Sequence, residues 1–287
     1  MKFFADTANV DEIEYCFLND VNDGITTNPK IIESTGDLSN GFDSACRNLL
    51  YKYPQVPVSL ETDLRGIDFK NLENVDPIAI KESLLNQAYS LSSWAENVVV
   101  KIPICYGGLL AVEELTKKGI KTNVTACMTP YQALRAADSG ATYVSLFANR
   151  MLDSEILKDS GNSLEIILNN SNWKTVLKSN KDKYFDSAWE HVLSDISYVA
   201  SKLENTSSEL IVGSIRAPED IQKIVRAEPQ IITIPTKIVG GLNDVLSLKE
   251  SKRSIFPRIH NSDNSLNHPM TQYTIEEFEE SASKYRK

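Results

Sequence analysis

The sequence predicts an α/β protein built as a (β/α)8 TIM barrel, and three observations carry that prediction. Eight short apolar, β-branched runs recur along the chain, most of them separated by segments with helix start and stop signals. The run "VVVKIP" (98–103) is continuously apolar around its lysine, as in a parallel strand buried on both faces. The length of 287 residues suits a single such barrel, typically about 250 residues. Eight strands alternating with helices favour a closed barrel over an open sheet.

In order, the strand candidates are "KFFAD" (2–6), "GITTN" (24–28), "VPVSLE" (56–61) and "VVVKIP" (98–103). They continue with "KTNVT" (121–125), "TYVSLFA" (142–148), "ELIVGS" (209–214) and "IITIP" (231–235). After the fifth, "TPYQALRAADSGA" carries Thr129 and Gln132 at capping-box spacing, Pro130 at a first-turn position and Gly140 as a stop. After the seventh, "RAPEDIQKIVRAEP" sets Pro218 and two acids at a helix start and Arg226 near its end, as the helix dipole favours.

The intervals are uneven. About 60 residues separate the sixth and seventh strands, against about 18 between the first and second. The excess, 154–205, is polar but holds Trp173, Tyr184, Phe185 and Trp189, and reads as an ordered insertion on the barrel rather than a linker, with a lid as its candidate role. The last stretch, 240–287, reads as a C-terminal extension ending in a helix. There Thr274 and Glu277 stand at capping-box spacing, and Ile275, Phe278, Ala282 and Tyr285 form one apolar stripe. That stripe must dock on the barrel itself or on a neighbouring subunit. The expected organisation is thus one domain over 1–287, assembled as a homo-oligomer.

Composition excludes several classes. Hydrophobic residues make up 41% and charged residues 24%, a globular balance. Thirty Lys+Arg against 39 Asp+Glu give a formal charge of −9, which argues against nucleic acid or an anionic membrane as partner. Cys16, Cys46, Cys105 and Cys127 are scattered without a CxxC pair, so reduced thiols and no metal site are expected. "MKFFADTANVDEIEY" has no signal-peptide apolar stretch, and no run approaches the roughly 18 apolar residues of a membrane span, so a cytoplasmic location is expected.

Lys101, set among valines and Ile-Pro, poses the functional question. One reading is a lysine at a strand end whose stem packs while its ammonium reaches water or a carboxylate. The other is a desolvated amine whose neutral form attacks a carbonyl carbon. Barrel chemistry sits at the C-terminal strand ends, and those ends carry Asp6, Thr26 with Asn28, Glu61, Lys101, Thr125, Ser145 and Ser214. Singly, Asp6 or Asn28 reads equally as a turn or cap residue, and Thr125 or Ser145 as a hydroxyl satisfied by a carbonyl. Together they converge on one face, where Asp6 and Glu61 are available to Lys101 for the proton transfers of a Schiff-base mechanism. Arg150 and Arg216, just beyond strand ends, offer the forked donors that suit a phosphate.

"FADTANVDEI", "GITTNPKII", "VVVKIP", "GIKTNVT", "GATYVSLFANR" and "VGSIRAPEDI" resemble, in order and approximate spacing, the transaldolase family, including its small subfamily and the related fructose 6-phosphate aldolases. The resemblance runs through residues 1 to about 150, resumes over 209–240 and returns weakly in "HPMTQYTIEEFEES". It implies that Lys101 is the Schiff-base lysine, that Asp6 is the acid/base at the C4 hydroxyl, and that Glu61 and Thr125 position a catalytic water. It further implies that Thr26, Asn28 and Ser145 contact the three-carbon unit, and that Arg150, Ser214 and Arg216 bind phosphate. The implied reaction moves a dihydroxyacetone unit from a ketose phosphate to an aldose phosphate, as a transferase of aldehyde or ketone residues with no metal or organic cofactor.

In the resembling aldolases a glutamine and a proton-donating tyrosine stand where this chain has Glu61 and Phe147, which favours transfer over release. An aldolase releasing free dihydroxyacetone and a silent sugar-phosphate-binding barrel are the rival readings. The chain departs from its relatives in "ACMTPYQ" and "ICYGG", two segments expected to border the acceptor pocket.

Overall fold

The computed structural model describes residues 1–64, 67–68, 74–169, 172–242 and 264–285. The strands are β1 (Lys2–Asp6), β2 (Gly24–Thr26), β3 (Val58–Glu61), β4 (Val98–Pro103), β5 (Thr122–Cys127), β6 (Tyr143–Phe147), β7 (Glu209–Gly213) and β8 (Ile231–Ile234). All pairings are parallel and follow chain order, with β8 returning to β1 to close the barrel. Every expected run forms a strand. The second is the most shortened, because Asn28 leaves the sheet to cap the next helix: its Oδ1 accepts from Ile31 N at 2.8 Å.

The helices are α1 (Val10–Leu18), α2 (Pro29–Thr35), α3 (Phe42–Lys52), α4 (Pro77–Ser92), α5 (Tyr106–Lys117) and α6 (Pro130–Asp138). They continue with α7 (Ala148–Asp159), α8 (Ile166–Asn169), α9 (Trp173–Leu203), α10 (Pro218–Ile224), α11 (Thr236–Val239) and α12 (Pro269–Ala282). A large apolar layer lies between the helices and the outside of the barrel. A second, smaller cluster fills the barrel's interior: Phe4, Val99, Tyr143, Ile211 and Ile231. Phe4 and Tyr143 meet edge to face at 5.8 Å.

This plug determines where chemistry happens. Successive strand residues point to opposite faces, so the residue two positions after each plug member also faces inward, one step nearer the C-terminal mouth. Those residues are Asp6, Lys101, Ser145, Gly213 and Thr233, and all five line one cavity.

Three expectations are corrected. The lid expected over 154–205 is helical wall: α7, α8 and the 31-residue α9 make the crossover from β6 to β7. The second half of α9 buries Trp189, Val192, Leu193, Ile196, Val199 and Leu203, and packs along α7 and beside α6 and β7. The capping box at Thr274 and Glu277 is absent, because α12 begins one and a half turns earlier, at His268, whose Nδ1 accepts from Met270 N at 3.3 Å. Thr274 sits inside the helix and returns its hydroxyl to Met270 O at 2.7 Å. At α6, Thr129 caps as expected, but Gln132 accepts from Met128 N and donates to Leu266 O at 2.8 Å, tying α6 to the segment before α12.

The stripe of α12 docks on its own barrel, against α2, β5, α7 and α8. Part of the extension expected over 240–287, residues 243–263 and 286–287, lies outside the described residues. The four cysteines are buried, and none is in a disulfide among the described residues. Among the described residues no helix is long and apolar enough to cross a membrane.

Candidate active site

The cavity at the C-terminal mouth encloses about 310 Å³. Asp6, Thr26, Asn28, Lys101, Ser145, Phe147, Arg150 and Ser214 line it, eight of the residues picked out from the sequence. Glu61 stands behind it on β3 as the register partner of Lys101 on β4, which brings Lys101 Nζ to 3.1 Å from Glu61 Oε2. The pair is 4% and 1% exposed. Lys101 Nζ also donates to Thr27 O at 2.9 Å, and the Phe147 and Phe278 rings stand 6.0 and 5.8 Å away. The amine is therefore not alone in an apolar wall, as the valine run suggests. It is a buried cation held by one carboxylate and one carbonyl, with aromatic faces around it.

Asp6 ends β1 beside Thr26, its register partner on β2, and accepts from the Thr26 hydroxyl at 2.8 Å. Burial raises the Asp6 carboxyl above the ordinary aspartate range, against the opposing pull of the Thr26 hydrogen bond and the Lys101 charge. A carboxyl so raised is suited to exchange a proton with a substrate hydroxyl.

Asn123 was missed by the sequence reading. It lies wholly buried at the level of Lys101, its register partner, donating to Ser59 Oγ at 3.2 Å and accepting from Ser145 Oγ at 2.7 Å. The signal for it was its place two residues before Thr125, on the same face of β5. Thr125 is fully buried, and among the described residues its hydroxyl has no hydrogen-bond partner. A buried unpaired hydroxyl is costly, which marks this position for a transient polar occupant.

At the β7 end, Ser214 has a φ of +61°, a left-handed backbone unusual for a residue with a Cβ. Its carbonyl is anchored by Asn149 Nδ2 at 2.9 Å, and Asn149 also donates to Asp220, whose carboxylate accepts from the Arg216 and Ala217 amides. This network fixes the loop leading into α10.

The two arginines differ. Arg150 lines the cavity and pairs with Glu277 of α12. Arg216 does not line it; its Nη1 and Nη2 grip Asp153 at 2.8 and 2.5 Å. The two departing segments do not line it either. In "ICYGG", Gly107 and Gly108 allow close packing, since a Cβ there would meet Ile80 Cβ at 2.5 Å and Pro103 O at 2.4 Å. In "ACMTPYQ", the β5 bulge turns Ala126 O toward Thr271 of α12, which donates to it at 2.9 Å. Both expectations of a pocket border give way to helix packing. No cluster of metal-ligating side chains occurs among the described residues.

Residues 3–287 match the family model described as Transaldolase/Fructose-6-phosphate aldolase. A protein named probable transaldolase from Clostridium tetani is 30% identical over 279 residues, spanning 97% of this chain and 96% of that protein. Another of that name, from Syntrophobacter fumaroxidans, is 34% identical over 247 residues, with 84% and 89% covered. A third, from Thermodesulfovibrio yellowstonii, is 32% identical over 248 residues, with 84% and 90% covered.

Proposed function

The chain belongs to the transaldolase/fructose-6-phosphate aldolase family, and from that premise we propose that it transfers a dihydroxyacetone unit from a ketose phosphate to an aldose phosphate through a Schiff base on Lys101. Glu61, 3.1 Å from the amine, takes the proton that the ammonium must shed before Nζ attacks the ketose carbonyl. The carbinolamine loses water, held between Glu61 and the unpaired Thr125 hydroxyl, and an iminium remains. Asp6 then accepts the C4 hydroxyl proton; the C3–C4 bond breaks, its electrons enter the iminium as an enamine, and the aldose phosphate departs. A second aldose phosphate takes the enamine's attack, Asp6 returns the proton to the new hydroxyl, and water releases the product.

Thr26, Asn28 and Ser145 hold the three-carbon unit, and Arg150, Ser214 and Arg216 serve the phosphate. Asn123, bonded to Ser145, joins them as a positioning residue. Arg216 must release or share Asp153 to take part, because both its terminal nitrogens are engaged.

The observation that carries this reading is Lys101, paired with the buried Glu61, sharing a cavity wall with an Asp6 carboxyl raised by burial. Phe147 favours transfer over release, since its ring beside the amine has no proton to give. The chain works as one domain over 1–287, in the cytoplasm and as a homo-oligomer, without metal or organic cofactor.

Borohydride reduction with fructose 6-phosphate, followed by peptide mass spectrometry, tests the proposal. A reduced three-carbon adduct on Lys101 is expected, and none in Lys101→Met. An adduct elsewhere, or none in the folded parent with either fructose 6-phosphate or dihydroxyacetone, rejects it.

A further inference from the structure

The mouth of the cavity is lined by Lys30, Ser34, Arg150 and Phe278. A carboxylate from α12 already sits among its cations. Glu277 pairs with Arg150, accepts from Lys30 Nζ at 3.3 Å and from the Tyr273 hydroxyl at 3.1 Å. Arg150 is boxed by the same helix, with Tyr273 stacked 5.3 Å from its guanidinium and Met270 Sδ 3.9 Å from Nη1. A guanidinium, an ammonium and a phenol converging on two carboxylate oxygens form the donor set that would hold a phosphate's oxygens. Burial pushes the Glu277 carboxyl up, but Arg150, Lys30 and the Tyr273 hydroxyl together hold it below the ordinary glutamate range, so it is ionised at neutral pH.

We propose that Glu277 is a specificity-determining residue: it occupies the anion position at the cavity mouth and competes with the phosphate of the substrate for Arg150 and Lys30. The proposal rests on the reading of Arg150 as a phosphate ligand given above. Its physical content is a charge count. Lys30 and Arg150 carry two positive charges, and Glu277 cancels one of them. A phosphate dianion entering this mouth meets a like charge at contact range and must push Glu277 aside, whereas a neutral hydroxyl end meets no such cost. Glu277 therefore narrows the advantage of phosphorylated over unphosphorylated sugars. The alternative role, holding Arg150 in place for the phosphate, makes the opposite prediction.

Calorimetric titration of inorganic phosphate into the parent, Glu277→Gln and Glu280→Gln separates them. Glu277→Gln keeps the side chain's shape and removes its charge, and is expected to bind phosphate about tenfold more tightly. Glu280→Gln removes the same charge from an exposed position of α12 and is expected to change binding less than twofold. In turnover, KM for a phosphorylated aldose acceptor is expected to fall about tenfold in Glu277→Gln while KM for its unphosphorylated counterpart holds.

Equal or weaker phosphate binding by Glu277→Gln overturns the proposal and makes Glu277 a positioning residue. Equal gains in both variants also overturn it, since net charge then explains them. Absence of phosphate binding in all three overturns it through the anion site it rests on. In that case, trapping of unphosphorylated dihydroxyacetone on Lys101 still reports on the Schiff-base reading separately.

Discussion

The Phe278 ring lies 5.8 Å from Lys101 Nζ and 6.4 Å from the Phe147 ring, so the last helix and the fourth strand meet at the amine. Phe278 is 5% exposed and closes the mouth over a reactive group. Replacing it with alanine removes apolar contact and admits water to the enamine. Phe278→Ala is expected to lose about 3–5 kcal/mol of stability. Its activity is expected to shift toward product release, read as free dihydroxyacetone formed per transfer, which should rise severalfold. An unchanged ratio would mean that the ring does not guard the intermediate.

The buried ion pair makes a second prediction. Removing one partner leaves the other buried without its counter-charge, at a cost of about 3 kcal/mol. Lys101→Met and Glu61→Gln are each expected to lower the urea midpoint. The double variant should lose at least 1 kcal/mol less than the sum of the two. Strict additivity would show that Thr27 O, rather than Glu61, carries the lysine.

Asp6 gives a pH dependence whose sign follows from its surroundings. The Thr26 hydroxyl stabilises the ionised form that must act as base, opposing the rise caused by burial. Thr26→Val takes that support away. The acidic limb of kcat/KM is expected to move to higher pH while the alkaline limb stays in place. A limb that does not move assigns the acidic ionisation to another group.

His268 links stability to pH at the other end of the chain. Burial, with a further push from Lys158, lowers its folded-state pKa to about 3, against about 6.5 in an unfolded chain. Between those values the unfolded state binds the extra proton, so stability is full above about 6.5 and is lost as pH falls toward 3. The slope from this group alone approaches about 1.4 kcal/mol per pH unit. His268→Asn keeps an acceptor for Met270 N and is expected to flatten the profile in that window, as measured by denaturant unfolding at several pH values.

The barrel was legible because each strand run is short, apolar and bounded, and because strand alternation is fixed by backbone geometry. The inward row followed from the same alternation, which places Asp6, Lys101 and Ser145 two steps beyond Phe4, Val99 and Tyr143. What the sequence could not show was pairing across long separations. Glu277 reads locally as a capping residue, and only the fold carries it to Arg150, 127 positions away. The partner of Arg216 stayed hidden for the same reason, since nothing near it in the chain announces Asp153. The lid expected over 154–205 failed differently. Its polar, Lys-rich surface concealed a long helix whose apolar residues gather in its second half. Asn123 escaped because an amide inside an apolar run resembles an interruption, until Ser59 and Ser145 are seen on either side of it.

The interior plug has a consequence for how this molecule can change over generations. Phe4, Val99, Tyr143, Ile211 and Ile231 seal the floor of the barrel, and the reactive row stands on them. Replacements among the outer helices, α12 apart, are buffered by a separate apolar layer, so they can accumulate without disturbing the amine. A methyl group gained or lost in the floor is transmitted two residues up each strand, to a lysine, an aspartate or a serine. Variation in this lineage should therefore run freely over the outside of the barrel away from α12, while the five floor positions change only in compensating pairs.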